Sequence, residues 1–78
     1  MLSNEDIMNL LNLISLNWDR LSRSGQDVAT DLFDDADKGM SFGRFRMYLI
    51  DLCWDFDRMG VDLQREMQHA SKQLGFEI

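Results

Sequence analysis

The sequence predicts an all-α fold: a compact small bundle of three to four antiparallel helices that forms a single domain over residues 1–78. Three observations lead to this prediction. Apolar residues recur at steps of three and four positions, which is the period of a helix that buries one face. No segment alternates apolar and polar residues as a half-buried strand does. The stretches between the periodic segments are short, which favours antiparallel neighbours.

The first helix is predicted at about residues 4–22. Ser3 is a suitable N-cap, and Asp6 stands three residues later, where a capping box usually has Glu. The apolar positions alternate steps of four and three along Ile7, Leu11, Ile14, Trp18 and Leu21. This spacing predicts one packing seam along the helix.

The second helix is predicted at about residues 25–37. Ser24 is the expected N-cap, because Asp27 follows it by three residues, and Gly39 is the expected end. The predicted apolar face consists of Val28, Ala29, Leu32, Phe33 and Ala36.

The third helix is predicted at about residues 42–59, between an N-cap at Ser41 and an end at Gly60. Its seam consists of Phe42, Phe45, Leu49, Leu52, Phe56 and Met59. A second apolar flank consists of Met47, Ile50 and Trp54. A helix that is apolar around much of its circumference is expected at the centre of the bundle.

The fourth helix is predicted at about residues 62–74, with Gly75 as its end. The apolar residues of the chain as a whole exceed what one small core requires, so some are expected at the surface. The candidates are Leu10, Leu13, Met47, Trp54 and Phe76. Exposed apolar patches mark interfaces, so a homodimer or an obligate partner is a possible state of the protein.

The composition excludes several classes of function. The net charge is −6, and this excess of acid disfavours direct binding to nucleic acids and to anionic membranes. The single cysteine, Cys53, cannot form an internal disulfide. The N-terminus lacks the basic start of a signal peptide, and the apolar run at 10–16 is too short to span a membrane. A soluble cytoplasmic protein is therefore expected.

An aspartate cluster on the second predicted helix is the main indication of a partner. Its members are Asp27, Asp31, Asp34, Asp35 and Asp37. No Lys or Arg interrupts the cluster, and the spacing of its first three members aligns them on one helix face. The last three members stand near the predicted end of the helix, where the dipole disfavours negative charge. Interaction with a basic partner explains this placement better than helix stability does, and the alternative is a solvated face that only solubilises the protein.

The third predicted helix adds a second group of candidate partner-binding residues. Asp51 and Asp55 are four residues apart, with Asp57 and Asp62 nearby, so the first two are expected on one face. Trp54 lies between them in the sequence and is the candidate apolar anchor, since tryptophan is enriched among the residues that dominate binding energy.

Two short motifs at the junction of the second and third helices resemble functional sites. Residues 39–43 match the G-x-S-x-G nucleophile elbow, but that elbow requires a preceding strand and a large α/β sheet. Residues 34–39 match part of an EF-hand loop, but Ala36 and Lys38 replace two oxygen ligands. A helix end followed by an N-cap serine explains the first match, and the second retains too few ligands for tight calcium binding.

Two further patterns suggest metal or nucleophile chemistry. Glu66 and His69 form the Glu-x-x-His step of di-iron bundles, which need a second such step that only a dimer would supply here. Cys53 and the single histidine are the residue types of a thiol nucleophile and its base, although a buried structural thiol is the simpler interpretation. Neither pattern leads us to expect an enzyme, a metal or a cofactor.

The leading hypothesis from the sequence is a non-enzymatic acidic module that binds a basic, nucleic-acid-binding surface of a larger protein and blocks it. Small size, acidity and helical pattern are shared with many phage- or plasmid-borne inhibitors of this kind, including anti-CRISPR proteins, although no motif carries the likeness. One alternative is a small dimerising structural or adaptor subunit held by apolar helix faces. A second is a helical metalloprotein that uses Glu66 and His69 in a dimer.

Overall fold

Four α-helices and two 3₁₀ helices make up the fold in the computed structural model, which describes residues 2–78. The α-helices are α1 (Asn4–Leu16), α2 (Arg23–Lys38), α3 (Phe42–Leu52) and α4 (Val61–Leu74). The first 3₁₀ helix, Trp18–Arg20, follows α1, and the second, Cys53–Arg58, continues α3. No strand is present in residues 2–78, so the predicted all-α bundle is confirmed.

The core is built from aliphatic side chains of all four α-helices and from Phe45. α3 packs against α2, against α4 and against the second 3₁₀ helix, whereas α1 packs mainly against α4. The predicted central position of the third helix is therefore confirmed. The largest fully buried side chains are Phe45, Leu10, Ile14, Leu32, Leu49, Leu52, Leu63 and Met67.

Two apolar residues lie where the sequence did not place them. Leu10 was expected at the surface but is buried, because Leu10 and Ile14 form the core face of α1. Phe42 was expected in the seam but is 43% exposed. Helical side chains point toward the helix N-terminus, so the side chain of this first residue of α3 projects beyond the end of the helix.

Several of the predicted helix caps are confirmed. Ser3 and Asp6 form the predicted capping box, with both hydrogen bonds at 3.1 Å. Ser41 caps α3 by accepting a hydrogen bond from the Arg44 backbone N–H at 3.2 Å. Gly39 ends α2 at φ +83°, a conformation that side chains disfavour.

Asn17 ends α1 five residues before the predicted end. Its Nδ2 donates to the carbonyl of Leu13 at 2.8 Å, and its Oδ1 accepts from the backbone N–H of Gly60 at 2.7 Å. The side chain thus forms hydrogen bonds with the last turn of α1 and with the N-cap residue of α4. Gly60 was predicted to end a helix, but it is the N-cap of α4 at φ −65°. Its missing side chain leaves room for Asn17, whose Oδ1 would lie 3.0 Å from an added Cβ.

α2 begins at Arg23, two residues before the predicted start. Ser22, not Ser24, is the N-cap, and its Oγ accepts a hydrogen bond from the Gly25 backbone N–H at 3.1 Å. The helix then continues without interruption to Lys38. The whole aspartate cluster is therefore helical.

α3 was predicted to remain α-helical to about residue 59, but it changes to a 3₁₀ helix at Cys53. A 3₁₀ helix has three residues per turn, so residues three apart share a face. This period places Trp54 and Asp57 together on the outer side and turns Asp55 inward. The predicted pairing of Asp51 with Asp55 on one exposed face is therefore wrong.

Candidate interaction surface

The outer face of α2 presents three aspartates in a row, which we call the acidic stripe: Asp27, Asp31 and Asp34. All three are exposed, whereas Ala29 and Leu32 on the opposite face are fully buried. Neighbouring side chains at this spacing start about 5–6 Å apart. The first three members of the predicted cluster are therefore brought together as the sequence indicated.

Ion pairing within residues 2–78 does not involve the acidic stripe. In the described part of the chain, residues 2–78, the one ion pair joins Arg44 to Asp35, and no cation pairs with the stripe. Carboxylates in a row repel one another. A row of cations would be complementary in charge to this arrangement.

Asp35 does not belong to the acidic stripe, although the sequence grouped it there. It faces α3, where its Oδ2 accepts a hydrogen bond from Arg44 at 2.5 Å and a very short one from the Tyr48 hydroxyl. The hydrogen bond from Tyr48 lowers the pKa of Asp35 below its ordinary value, and Arg44 lowers it further. Asp35 therefore joins α2 to α3, and its charge is compensated within the protein.

Asp34 and Asp37 lie near the C-terminal end of α2, where the helix dipole disfavours negative charge, as the sequence predicted. Both lie in the last turns of α2, and both are exposed. Among residues 2–78, neither forms an ion pair or a side-chain hydrogen bond. Contacts within residues 2–78 therefore account for the position of Asp35 but not for the positions of Asp34 and Asp37.

Asp55 was predicted to bind a partner from an exposed face, but it is buried, with 6% of its surface exposed. Its Oδ2 accepts hydrogen bonds from the Ser22 backbone N–H at 3.0 Å and from the Ser22 Oγ at 2.8 Å. The carboxylate thus sits at the positive end of the α2 dipole. Asp55 therefore connects the second 3₁₀ helix to the start of α2 and does not belong to the exposed acidic surface.

Trp54 is the most exposed large apolar side chain, at 90%. It borders two shallow surface depressions, one with Ile50 and Cys53 and one that reaches Asp57 and Ile78. The predicted exposure of Trp54 is therefore confirmed. The alignment of Trp54 with Asp57 was not apparent from the sequence, because it depends on the 3₁₀ period.

The residues of the other sequence motifs have structural roles or lie apart. Ser41 of the G-x-S-x-G match is the N-cap of α3, and the residues that resemble an EF-hand loop form the helical end of α2. Burial raises the pKa of the Cys53 thiol, which disfavours the reactive thiolate. On α4, Glu66 is half-buried and His69 is exposed. Within residues 2–78, no three His, Cys, Asp or Glu side chains are grouped as metal ligands.

No helix among residues 2–78 combines the length and the apolar composition needed to cross a bilayer. In comparisons with known proteins, no family model matches the sequence, and no curated protein or solved structure matches it either. The charge pattern and the exposed side chains of the bundle are therefore the observations from which a function is inferred.

Proposed function

We propose that this protein is a non-enzymatic binding module whose acidic surface docks on a basic, nucleic-acid-binding surface of a larger protein. It would act as an inhibitor by occupying that surface, as nucleic-acid mimics of the anti-CRISPR class do. The observation that carries the proposal is the acidic stripe, whose three carboxylates have no ion-pair partner in the described chain.

The spacing of the acidic stripe suits this role. Carboxylates one helical turn apart repeat along α2 in the way that phosphates repeat along a nucleic acid strand, so they match a row of Lys and Arg side chains. The net charge of −6 would also attract a basic partner at a distance. Such charges raise the association rate and the specificity more than the affinity.

An exposed aromatic side chain adds the apolar contact that charge alone does not provide. Interface residues that dominate binding energy are enriched in tryptophan, and Trp54 is 90% exposed. Asp51 and Asp37 are also exposed and are further candidate partner-binding residues. Asp35 and Asp55 are excluded from this surface by their internal hydrogen bonds.

The test is an affinity isolation from the native cells at low and high salt, with a stripe variant beside the wild type. The stripe variant is Asp27→Asn, Asp31→Asn and Asp34→Asn together. We expect the wild type to retain a basic nucleic-acid-binding protein that high salt releases, and the stripe variant to lose it at low salt. Increasing amounts of the wild type should then displace nucleic acid from that partner.

A matched control separates the acidic stripe from net charge. Glu5→Gln, Asp19→Asn and Glu77→Gln together remove the same number of exposed charges at other places. This control variant should retain the partner. If the folded stripe variant keeps the partner as well as the wild type does, or if the partner's nucleic acid is not displaced, the proposed function is wrong.

A second candidate function is a dimerising structural or adaptor subunit. It is favoured by two exposed apolar side chains beside the Asn17–Gly60 contact, Leu16 at 81% and Val61 at 62%. Apolar association resists salt, whereas charge-driven binding does not. Sedimentation equilibrium of the wild type and of Leu16→Ser would reveal a salt-independent dimer that the substitution weakens.

A further inference from the structure

Trp54 exposes an aromatic surface that no cation among residues 2–78 covers. Among residues 2–78, the two cation–π contacts are Arg44 over Tyr48 and Arg46 over Phe76. The ring of Trp54 is a stronger partner for a cation than either of those rings. It remains 90% exposed.

Two carboxylates lie in line with Trp54, and we call the three residues Asp51, Trp54 and Asp57 the Trp54 row. Asp51 is in the last turn of α3, one turn before Trp54, and Asp57 is one 3₁₀ turn after it. Three residues of a 3₁₀ helix rise about 6 Å. Both carboxylates are exposed, and in residues 2–78 neither forms an ion pair, although Arg58 follows Asp57 directly.

We propose that the Trp54 row is a docking site for an arginine side chain of the basic partner. This inference rests on the proposed function and identifies the contact that the partner makes. The planar guanidinium would stack on the indole, and its N–H groups would donate to Asp51 or Asp57. The aliphatic part of the arginine would lie on Ile50 and Cys53, which form the depression beside the ring.

Charge selects an arginine-bearing partner over a second copy of this chain. In a two-fold symmetric dimer centred on Trp54, each Trp54 row would meet its own equivalent. Asp51 and Asp57 would then face like charges, in a chain whose net charge is already −6. Like charges across an interface oppose association. A guanidinium, in contrast, can stack on the aromatic ring and donate hydrogen bonds to the carboxylates.

NMR of the ¹⁵N-labelled protein provides a direct test, because the chain has two tryptophans in different environments. Trp54 is exposed, whereas Trp18 is half-buried and stacked on Phe33, with ring centroids 6.3 Å apart. The probe is a short blocked peptide with two arginines separated by glycine. We expect saturable shifts of the Trp54 indole N–H and none of Trp18. Matched peptides with lysine and with uncharged citrulline should bind more weakly and not at all, respectively.

Substitutions identify the groups that bind the peptide. Trp54→Leu keeps an apolar side chain but removes the ring, and Asp51→Asn with Asp57→Asn removes the carboxylates. For either variant we expect the peptide Kd to rise about two- to five-fold, the range for one exposed cation–π contact or charged pair. Glu5→Gln with Asp19→Asn removes the same number of exposed charges outside both the Trp54 row and the acidic stripe, and should leave the Kd within about two-fold. Because Trp54→Leu lacks the indole N–H, its binding of the peptide is measured from the shifts of backbone amides.

Three results would overturn the proposal. The first is an equal loss of affinity in the Glu5 and Asp19 variant, with Trp54→Leu unchanged, which indicates general charge attraction. The second is equal binding of the lysine and arginine peptides. The third is a Trp54 signal that shifts on dilution without peptide, which indicates that a second copy covers the ring. The acidic-stripe experiment does not use this peptide, so a failure of this inference is distinguishable from a failure of the proposed function.

Discussion

The Ser22 hydroxyl donates a hydrogen bond to Oδ2 of Asp55 at 2.8 Å, and the Ser22 backbone N–H donates to the same oxygen at 3.0 Å. Ser22 Oγ also accepts from the first turn of α2. A carboxylate of the second 3₁₀ helix therefore supports the N-cap residue of α2, which lies 33 residues earlier in the chain. This contact determines where α2 begins and which way Asp55 points.

Asp55→Ala should lower the free energy of unfolding by about 2–3 kcal/mol, because two hydrogen bonds to a buried charged group are lost. Urea unfolding followed by circular dichroism measures this change. Asp57→Ala, two residues later on the exposed side, is the control and should change the free energy by less than about 0.5 kcal/mol. Similar values for the two variants would contradict the internal role assigned to Asp55.

Gly25→Ala should destabilise the protein, whereas an alanine in a helix normally stabilises it. The first turn of α2 approaches Asp55 so closely that an added Cβ would collide with its carboxylate. Gly43→Ala is the matched control in the first turn of α3, where the nearest atom to the new Cβ is Ser41 Oγ at 3.8 Å. The control should be neutral or stabilise by up to about 1 kcal/mol.

A double variant tests the cause of the Gly25 effect. In Gly25→Ala with Asp55→Ala, the added methyl group no longer meets a carboxylate. The loss of stability should therefore be smaller than the sum of the two single losses. Additive losses in urea unfolding would show that Asp55 is not what excludes a side chain at residue 25.

Asn17→Ala should lower the free energy of unfolding by about 1–3 kcal/mol, because the Gly60 N–H and the Leu13 carbonyl both lose a partner. The control is Asn12→Ala on the exposed face of α1, which should be neutral or slightly stabilising, since alanine has the higher helix propensity. Thermal unfolding of both variants makes the comparison. An equal midpoint for both would show that Asn17 does not join α1 to α4.

Stability should fall in acid, in part because of Asp35. The folded state lowers the pKa of Asp35 through Tyr48 and then Arg44, so the ionised carboxylate stabilises the folded state above its ordinary pKa of 3.8. This stabilisation is lost as the pH falls through the lower pKa of the folded state. Tyr48→Phe should therefore lose less stability than the wild type between about pH 5 and pH 2, as urea midpoints measure. A parallel loss in both proteins would contradict the role of the Tyr48 hydrogen bond.

The features that the sequence predicted correctly depend on residues close together in the chain. The capping box joins Ser3 to Asp6, and Gly39 ends α2 through its own backbone conformation. The helical alignment of the acidic stripe is equally local. These features need only the helix period and the preferences of individual residues.

The features that the sequence missed depend on contacts between distant residues. Asn17 ends α1 by bonding to a residue 43 positions away, and Asp55 turns inward to a residue 33 positions away. A regular α-helical period cannot reveal either contact or the change to a 3₁₀ helix after Leu52. The alignment of Trp54 with Asp57 and the removal of Asp55 from the surface both follow from that change.

α2 is fastened near both of its ends, at Ser22 by Asp55 and at Asp35 by Arg44 and Tyr48. The acidic stripe lies between these two attachments, so its carboxylates are preorganised before any partner arrives. A disordered acidic tail of the same charge would lose about 1–2 kcal/mol of backbone entropy for each residue ordered on binding. In this bundle most of that backbone entropy is lost on folding and not on binding. The backbone positions of the stripe are therefore set by the fold, and under the proposed function their spacing would favour basic surfaces that match it.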